Sequence, residues 1–353
     1  MRSPWSPLPL LFVAACGSAS PSASMLGAAV DAGEPPDAPA TVPTHSGTDA
    51  GTIATGGARD SGTRSDTGSS SMPGSPDAAA PPQGSDAAPS MMSTSAVAIP
   101  EPTGTCPAFA NGMVTFSPAG IPARQAQIYM SSAAQTLHGP LIFYWYATGS
   151  VTAEAAYSLG ATIDSIEAAG GIVVAPVADP TAGEFEWFIV NGSPKLDDFL
   201  VADEIVACAA KNTDIDTSHI HSMGMSAGAL QTTAFSFLRS GYLASVATYS
   251  GGMPPGFTPT IENPANKFAA FIFDGGSTDD IDGVDFQAAS QTYYSTLKGS
   301  GHFAAICDHG GGHVIPTDAA PSVALFFQAN GFGVSPSPYV NGLPSSFPGY
   351  CTL

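Results

Sequence analysis

Beyond about residue 140 the sequence keeps one rhythm: a short run of apolar and β-branched residues ends in glycine or a loop, and a segment with helical spacing follows. "PLIFYWYATGS" (140–150), "GIVVAPVAD" (171–179), "SHIHSMG" (218–224), "LASVATYSGG" (243–252), "KFAAFIFDGG" (267–276) and "HFAAICDHGGGH" (302–313) read as strands. Most of these runs are continuously apolar rather than alternating, as strands buried on both faces are. Between them, "TAEAAYSLGATIDSIEAAGG" (152–171) reads as one helix stopped by a glycine pair. "DDFLVADEIVACAAKN" (197–212) reads as a helix opened by acids and closed by Lys211 and Asn212. "SAGALQTTAFSFLRSG" (226–241) and "PSVALFFQANG" (321–331) read as two more. Such alternation predicts an α/β protein, a mostly parallel central sheet flanked by helices, with its chemistry in loops at the carboxyl ends of the strands.

The rhythm is absent upstream. Residues 17–103 are mainly Ser, Ala, Pro, Gly, Thr and Asp with hardly an aromatic, too little apolar surface to offset the entropy of ordering. The expectation is a disordered tether over 17–103, with an r.m.s. reach of roughly 50 Å as a flexible coil. A single folded domain over 104–353 follows, long enough for one sizeable core. Residues 1–16 read as an export signal: Arg2 supplies a weak positive start, and the apolar stretch 8–15 is too short to span a bilayer. The junction "VAAC" (13–16) resembles the lipobox of bacterial lipoproteins, whose cysteine is acylated, so Cys16 is the expected membrane anchor. The expected location is the outer membrane or cell surface, with secretion as the alternative.

The chain carries 29 Asp/Glu against 9 Lys/Arg, a net charge of −20. That balance argues against a nucleic-acid partner, because phosphates are bound by Lys and Arg. After Cys16 the cysteines are Cys106, Cys208, Cys307 and Cys351. An even number in an exported domain implies two disulfides with three possible pairings. Because Cys106 and Cys351 flank the domain, the expected pairs are Cys106–Cys351 and Cys208–Cys307. No spacing is that of a zinc site.

Gly224-Met225-Ser226-Ala227-Gly228 fits G-x-S-x-G between a strand and a helix. In a nucleophile elbow the turn is so tight that flanking side chains would clash, and the N–H of the following residue, here Ala227, faces the reacting group. Ser226 is therefore the candidate nucleophile, and Ser250 in "TYSGG", without a glycine two residues before it, reads as a turn serine. A serine needs a histidine to take its proton. His138, His219 and His221 precede Ser226 in the chain, whereas His313 follows three glycines in "CDHGGGHVIP". His313 is the candidate base, with His309 as the alternative. The acid should lie between them, in "FIFDGGSTDDIDGVDF": Asp279 is preferred over Asp280, Asp274 and Asp282. The second oxyanion donor is expected in "YWYATGS", at the N–H of Ala147 or Thr148. Trp187 is either a wall of the substrate cleft or a packing aromatic.

The order of elements, "TDIDTSHIHSMGMSAGAL" before and at the serine, "VATYSGGM" after it and the terminal "GGGH" before a helix resemble the polyhydroxybutyrate depolymerase and feruloyl/acetylxylan esterase group of α/β-hydrolases. The resemblance runs from about residue 106 to 331. It implies an α/β-hydrolase fold and ester hydrolysis without metal or organic cofactor, with the nucleophile falling on Ser226, the acid on Asp279 and the histidine on His313. Two positions depart from it. The family usually has His-Gly at the end of the early strand, where this chain has Tyr146-Ala147, and often has His-Gly where this chain has Asp274-Gly275. The function expected is an exported serine esterase acting on feruloyl or acetyl polysaccharide esters or on a short-chain hydroxyacid polyester. The alternatives are a peptidase of the same fold and a surface-displayed binding protein that has lost hydrolysis.

Overall fold

The computed structural model describes residues 96–353; the export signal, Cys16 and most of the tether lie outside them. In chain order the elements are β1 (Gly112–Phe116), β2 (Arg124–Tyr129), β3 (Gly139–Trp145), α1 (Glu154–Leu159), α2 (Thr162–Ala168), β4 (Ile172–Pro176), α3 (Asp197–Asn212), β5 (Ile215–Met225) and α4 (Ala227–Leu238). There follow β6 (Ser245–Tyr249), β7 (Ala269–Asp274), the two-residue strands β8 (Asp280–Ile281) and β9 (Val284–Asp285), α5 (Phe286–Gly299), β10 (Ala304–Asp308), α6 (Ala320–Ala329) and β11 (Cys351–Thr352).

Nine strands form one sheet in the order β1-β2-β4-β3-β5-β6-β7-β10-β11. The six from β4 to β10 are parallel, while β1, β2 and β11 pair antiparallel at the two edges. Central strands such as β4 and β7 read as mainly apolar runs because helices cover both faces. On β5 the neighbours His221 and Ser222 point opposite ways. His221 stacks on Phe327 of α6 at 4.5 Å, and Ser222 accepts the Trp145 indole N–H on the face that carries α4. On that second face Phe143, Trp145, Phe199 and Phe235 pack ring to ring between β3, α3 and α4.

Three features differ from the sequence expectations. The helix expected over 152–171 is two short helices, α1 and α2, because Gly160 turns the chain at φ +50°. The edge strands β1 and β2 and the helix α5 were not anticipated. The disulfides are Cys106–Cys208 and Cys307–Cys351. Cys351 pairs locally because β11 lies antiparallel to β10, with Cys307 and Cys351 opposite each other in register, so the domain ends are not joined to each other. Of the two roles expected for Trp187 the structure supports the packing aromatic: it has no exposed surface, packs edge-on to Trp145 at 5.0 Å and donates its Nε1–H to Tyr146 O.

Residues just before 104 are held to the domain. Glu204 of α3, 2% exposed, accepts from Thr103 N and Oγ1 at 2.7 and 2.8 Å and from Gly104 N at 2.9 Å. These bonds satisfy a carboxylate that burial would otherwise penalise. Among the described residues no helix is long and apolar enough to cross a membrane.

Candidate active site

Ser226 joins β5 to α4 with φ +55° and ψ −121°, a strained conformation for a residue with a side chain. Its flanking glycines have no room for anything larger. A Cβ on Gly224 would lie 2.5 Å from the carbonyl oxygens of Gly228 and Trp145, and one on Gly228 would lie 1.9 Å from Trp145 O. The end of β3 therefore abuts the first turn of α4. Ser226 O accepts from Ala229 N and Leu230 N, while the N–H of Ala227 has no partner among the described residues, as expected in the first turn of a helix. The dipole of α4 adds positive potential at the same point.

The adjoining strand ends supply the other groups. Met225, Tyr249 and Phe273 are cross-strand neighbours, as are Asp274 and Asp308, so the loops after β5, β6, β7 and β10 leave the sheet at one level. Ser226 N–H donates to Tyr249 O at 2.9 Å. The next residue, Ser250, at φ +51° and without exposed surface, donates its hydroxyl to Asp279 Oδ2 at 2.8 Å. Gly275 N–H reaches the same oxygen at 2.8 Å, and Asp279 Oδ1 bonds His313 Nδ1 at 2.6 Å. Burial alone would raise the Asp279 pKa, but the bonds from His313, Gly275 and Ser250 outweigh it and hold the carboxyl below its ordinary value. The His313 ring rests on Phe286 at 4.7 Å. Its loop is pinned by the bond from Gly312 N–H to Gly275 O, an approach so close that a Cβ on Gly275 would lie 1.9 Å from Gly312 O.

The structure thus joins Asp279 to His313 directly and bonds the Ser226 backbone to Tyr249, the residue before the Ser250 that holds Asp279. Ser226 Oγ makes no hydrogen bond among the described residues, and with Nδ1 taken by Asp279, Nε2 of His313 is the nitrogen left to receive a proton. Such bonds are often long before substrate binds. The other candidates stand elsewhere. Asp280 and Asp282 are exposed, Asp282 in the tight turn between β8 and β9. His309 spends Nδ1 on Gly311 N–H, and its Nε2 is buried without a partner. Asp274 has no exposed surface; one oxygen accepts from Gly276 N–H and the other has no partner among the described residues. Burial, with the charges of Asp308, Asp279 and Asp285, raises its pKa to about 6. His221 and His302 are buried, bonded to Ser245 Oγ and Phe268 O, with pKa values lowered by burial, His302 to about 4. His138 and His219 pair with Asp214 and Asp216 where β5 begins.

In the loop after β3, Ala147 N–H is taken by Glu154 Oε1 at 3.1 Å and Gly149 N–H by Glu186 Oε1 at 2.9 Å, while Thr148 N–H has no partner among the described residues. Sequence reasoning missed Ser250, Glu154 and Glu186 as parts of this arrangement. Glu154 and Glu186 carry no motif. Ser250 in "TYSGG" was visible, but only as a turn residue. Among the described residues one group has metal-like spacing, Cys106, Glu204 and Cys208, and its sulfurs are joined in a disulfide.

By sequence the chain matches no family model and no curated protein. By structure it is similar to native pOPH, at TM-score 0.58 and 14% identity over 70% of this chain and 96% of that one. A complex of a pOPH variant with pNPB is similar at TM-score 0.57 and 15% identity, covering 70% and 95%. Native sOPH follows at TM-score 0.52 and 16% identity, covering 70% and 96%. At these identities the likeness is one of fold, and the fold is that of the α/β-hydrolases, as expected from the sequence.

Proposed function

We propose that the chain is an exported serine esterase. The observation that carries this reading is the 2.6 Å bond between Asp279 and His313, held at the strand ends beside a serine in the strained elbow conformation. In the proposed reaction Ser226 Oγ attacks the ester carbonyl carbon and passes its proton to His313 Nε2. Asp279 keeps the Nδ1–H oriented and stabilises the imidazolium. The carbonyl electrons move onto oxygen, where the N–H groups of Ala227 and Thr148 receive the charge. Collapse of the intermediate expels the alcohol, which takes the proton from His313 and leaves an acyl-serine. Water, deprotonated by His313, then releases the acid and restores Ser226.

The motifs shared with the polyhydroxybutyrate depolymerase and feruloyl/acetylxylan esterase group support feruloyl or acetyl polysaccharide esters, or a short-chain hydroxyacid polyester, as substrates. An acylated Cys16 would hold the enzyme at a membrane with residues 17–103 as a tether. The mass of the mature N-terminal peptide tests that part, and an unmodified terminus downstream of Cys16 would overturn it.

Hydrolysis of p-nitrophenyl acetate and butyrate by the full chain, beside Ser226→Ala and a fluorophosphonate label, tests the chemistry. Turnover and labelling that both vanish in Ser226→Ala are the expected result. A folded protein with neither, before any mutation, would refute the esterase reading and leave the fold as a binding scaffold.

A further inference from the structure

The loop after β3 makes a four-residue turn over 147–150. Ser150 N–H donates to Ala147 O at 3.0 Å, and Gly149 lies at φ +74°, the left-handed value that the third residue of a type II turn adopts. Two carboxylates grip this turn from outside. Glu154 Oε1 accepts from Ala147 N–H at 3.1 Å and from Tyr144 OH at 2.9 Å. Glu186 Oε1 accepts from Gly149 N–H at 2.9 Å. Thr148 N–H belongs to the peptide group whose carbonyl is turned toward Ser150. In a trans peptide the N–H and C=O point opposite ways, so this unpartnered N–H is directed out of the turn. The strand end that leads into the turn touches the elbow helix: a Cβ on Gly228 would lie 2.7 Å from Tyr146 O.

Glu186 bears two local penalties. Its φ of +60° is rare for a residue with a side chain, and its Oε2 is buried with no partner among the described residues. Such strain persists where the surrounding structure imposes it and gathers at functional sites. Its neighbour Trp187, anchored in the core through Tyr146 O, holds the glutamate beside the turn.

We propose that Glu186, supported by Glu154, is a positioning residue that fixes the peptides of turn 147–150 so that Thr148 N–H serves as the second oxyanion donor. The central peptide of such a turn has two arrangements, differing by a flip of about 180°. In the observed one the N–H meets the carboxylate of Glu186. In the other the Thr148 carbonyl would face that carboxylate and be repelled. Glu186 therefore selects one arrangement of the 148–149 peptide; the preceding peptide, which carries Thr148 N–H, is held by the bond from Ser150 N–H to Ala147 O, so Glu186 acts on that donor by keeping the turn in one shape before substrate arrives. Where the family pattern has His-Gly, this chain has Tyr146-Ala147, and the two glutamates set the loop's shape.

This inference rests on the serine esterase reading, and the test separates the two. In the full chain, kcat, KM and Tm are measured with p-nitrophenyl butyrate for Glu186→Ala, Glu186→Asp, Glu186→Gln and Ser226→Ala. Loss of a whole oxyanion donor lowers kcat by about 10²–10³-fold. A donor left in place but unfixed should lower it by roughly 10–100-fold. Glu186→Ala and Glu186→Asp, whose shorter side chain falls short of Gly149, should show that loss with KM changed by less than about threefold and Tm not lowered. Glu186→Gln keeps an acceptor oxygen but loses the charge that repels the flipped carbonyl, so it should recover part of the loss and keep a kcat clearly above those of Ala and Asp. Equal kcat in all three variants and the parent would overturn the positioning role, as would a loss of kcat that Gln fails to rescue. If Glu186→Ala does not fold, the contrast between Asp and Gln decides. Turnover that survives in Ser226→Ala would overturn the esterase reading and this inference with it, whereas turnover abolished there but normal in the Glu186 variants overturns this inference alone.

Discussion

Ser250 offers the sharpest perturbation of the proposed site, because its hydroxyl has one role and its backbone has another. The hydroxyl donates to Asp279 Oδ2 at 2.8 Å in a place without solvent, and the backbone sits at φ +51°. Ser250→Ala removes the first and leaves the second, since alanine is strained at that φ as serine is. A buried hydrogen bond to a charged group contributes about 1.5–3 kcal/mol. Asp279 keeps Gly275 N–H and His313, so the loss should lie toward the lower end, about 1.5–2 kcal/mol at pH 7. The folded pKa of Asp279 is depressed, so the stability it brings is present above the ordinary aspartate pKa of about 3.9 and is lost as pH falls through the folded value. Ser250→Ala moves that folded pKa upward. The gap in unfolding free energy between parent and variant should therefore be largest at pH 7 and narrow as the pH approaches 3. Weaker hold on the acid should also lower kcat, by about tenfold for each 1.4 kcal/mol felt in the transition state. Ser250→Gly removes the same hydroxyl but relaxes the left-handed strain, so it should be less destabilised than Ser250→Ala. Urea unfolding at several pH values and ester kinetics at pH 7 read all of this. A gap that stays constant from pH 7 to pH 3, or a kcat equal to the parent's, would refute the role assigned to Ser250.

Two further perturbations bear on the same loops. Asp274 has a folded pKa of about 6, above the ordinary value of about 3.9, so the folded state binds the proton more tightly and stability should decline by about 2 kcal/mol as pH rises from 4 through 6. Asp274→Asn should remove that decline, and thermal unfolding from pH 4 to pH 8 checks it; an unchanged profile would show that another group is responsible. Gly275→Ala places a Cβ 1.9 Å from Gly312 O and must push the His313 loop aside. Loss of ester turnover with a fall in Tm is expected, and full activity in this variant would mean that the loop's position does not govern the reaction.

The central part of the fold was legible because parallel strands under two layers of helices are mostly apolar, as "IVVAP" of β4 and the "AAFIF" that begins β7 are. The edges were not. β2 reads "RQAQIY" because only one of its faces is covered, and α5, "FQAASQTYYSTLKG", is buried at few positions and polar at the rest. The chain order of serine, acid and histidine survives in the sequence, so the partners Asp279 and His313 could be named, and the structure brings those two into contact. What spacing cannot carry is a side chain whose partner is someone else's backbone. Ser250, Glu154 and Glu186 act on N–H groups or carboxylates brought near by the sheet, and the disulfide partner of Cys351 depends on which strand β11 lies beside.

The clasp on Glu204 has a consequence for where this protein can be cut. Composition changes near residue 104, yet Thr103 supplies two of the three donors that keep the Glu204 carboxylate satisfied, and farther back Ala98 N–H is bonded to Gly241 O. A chain started at Gly104 would leave that acid short of donors beside the Cys106–Cys208 bridge, with a charged terminal amine in place of an amide. The folding unit thus takes in its last few tether residues as a strap. A protease that trims the tether would find its safe limit upstream of Ala98, where the last of these anchoring bonds lies.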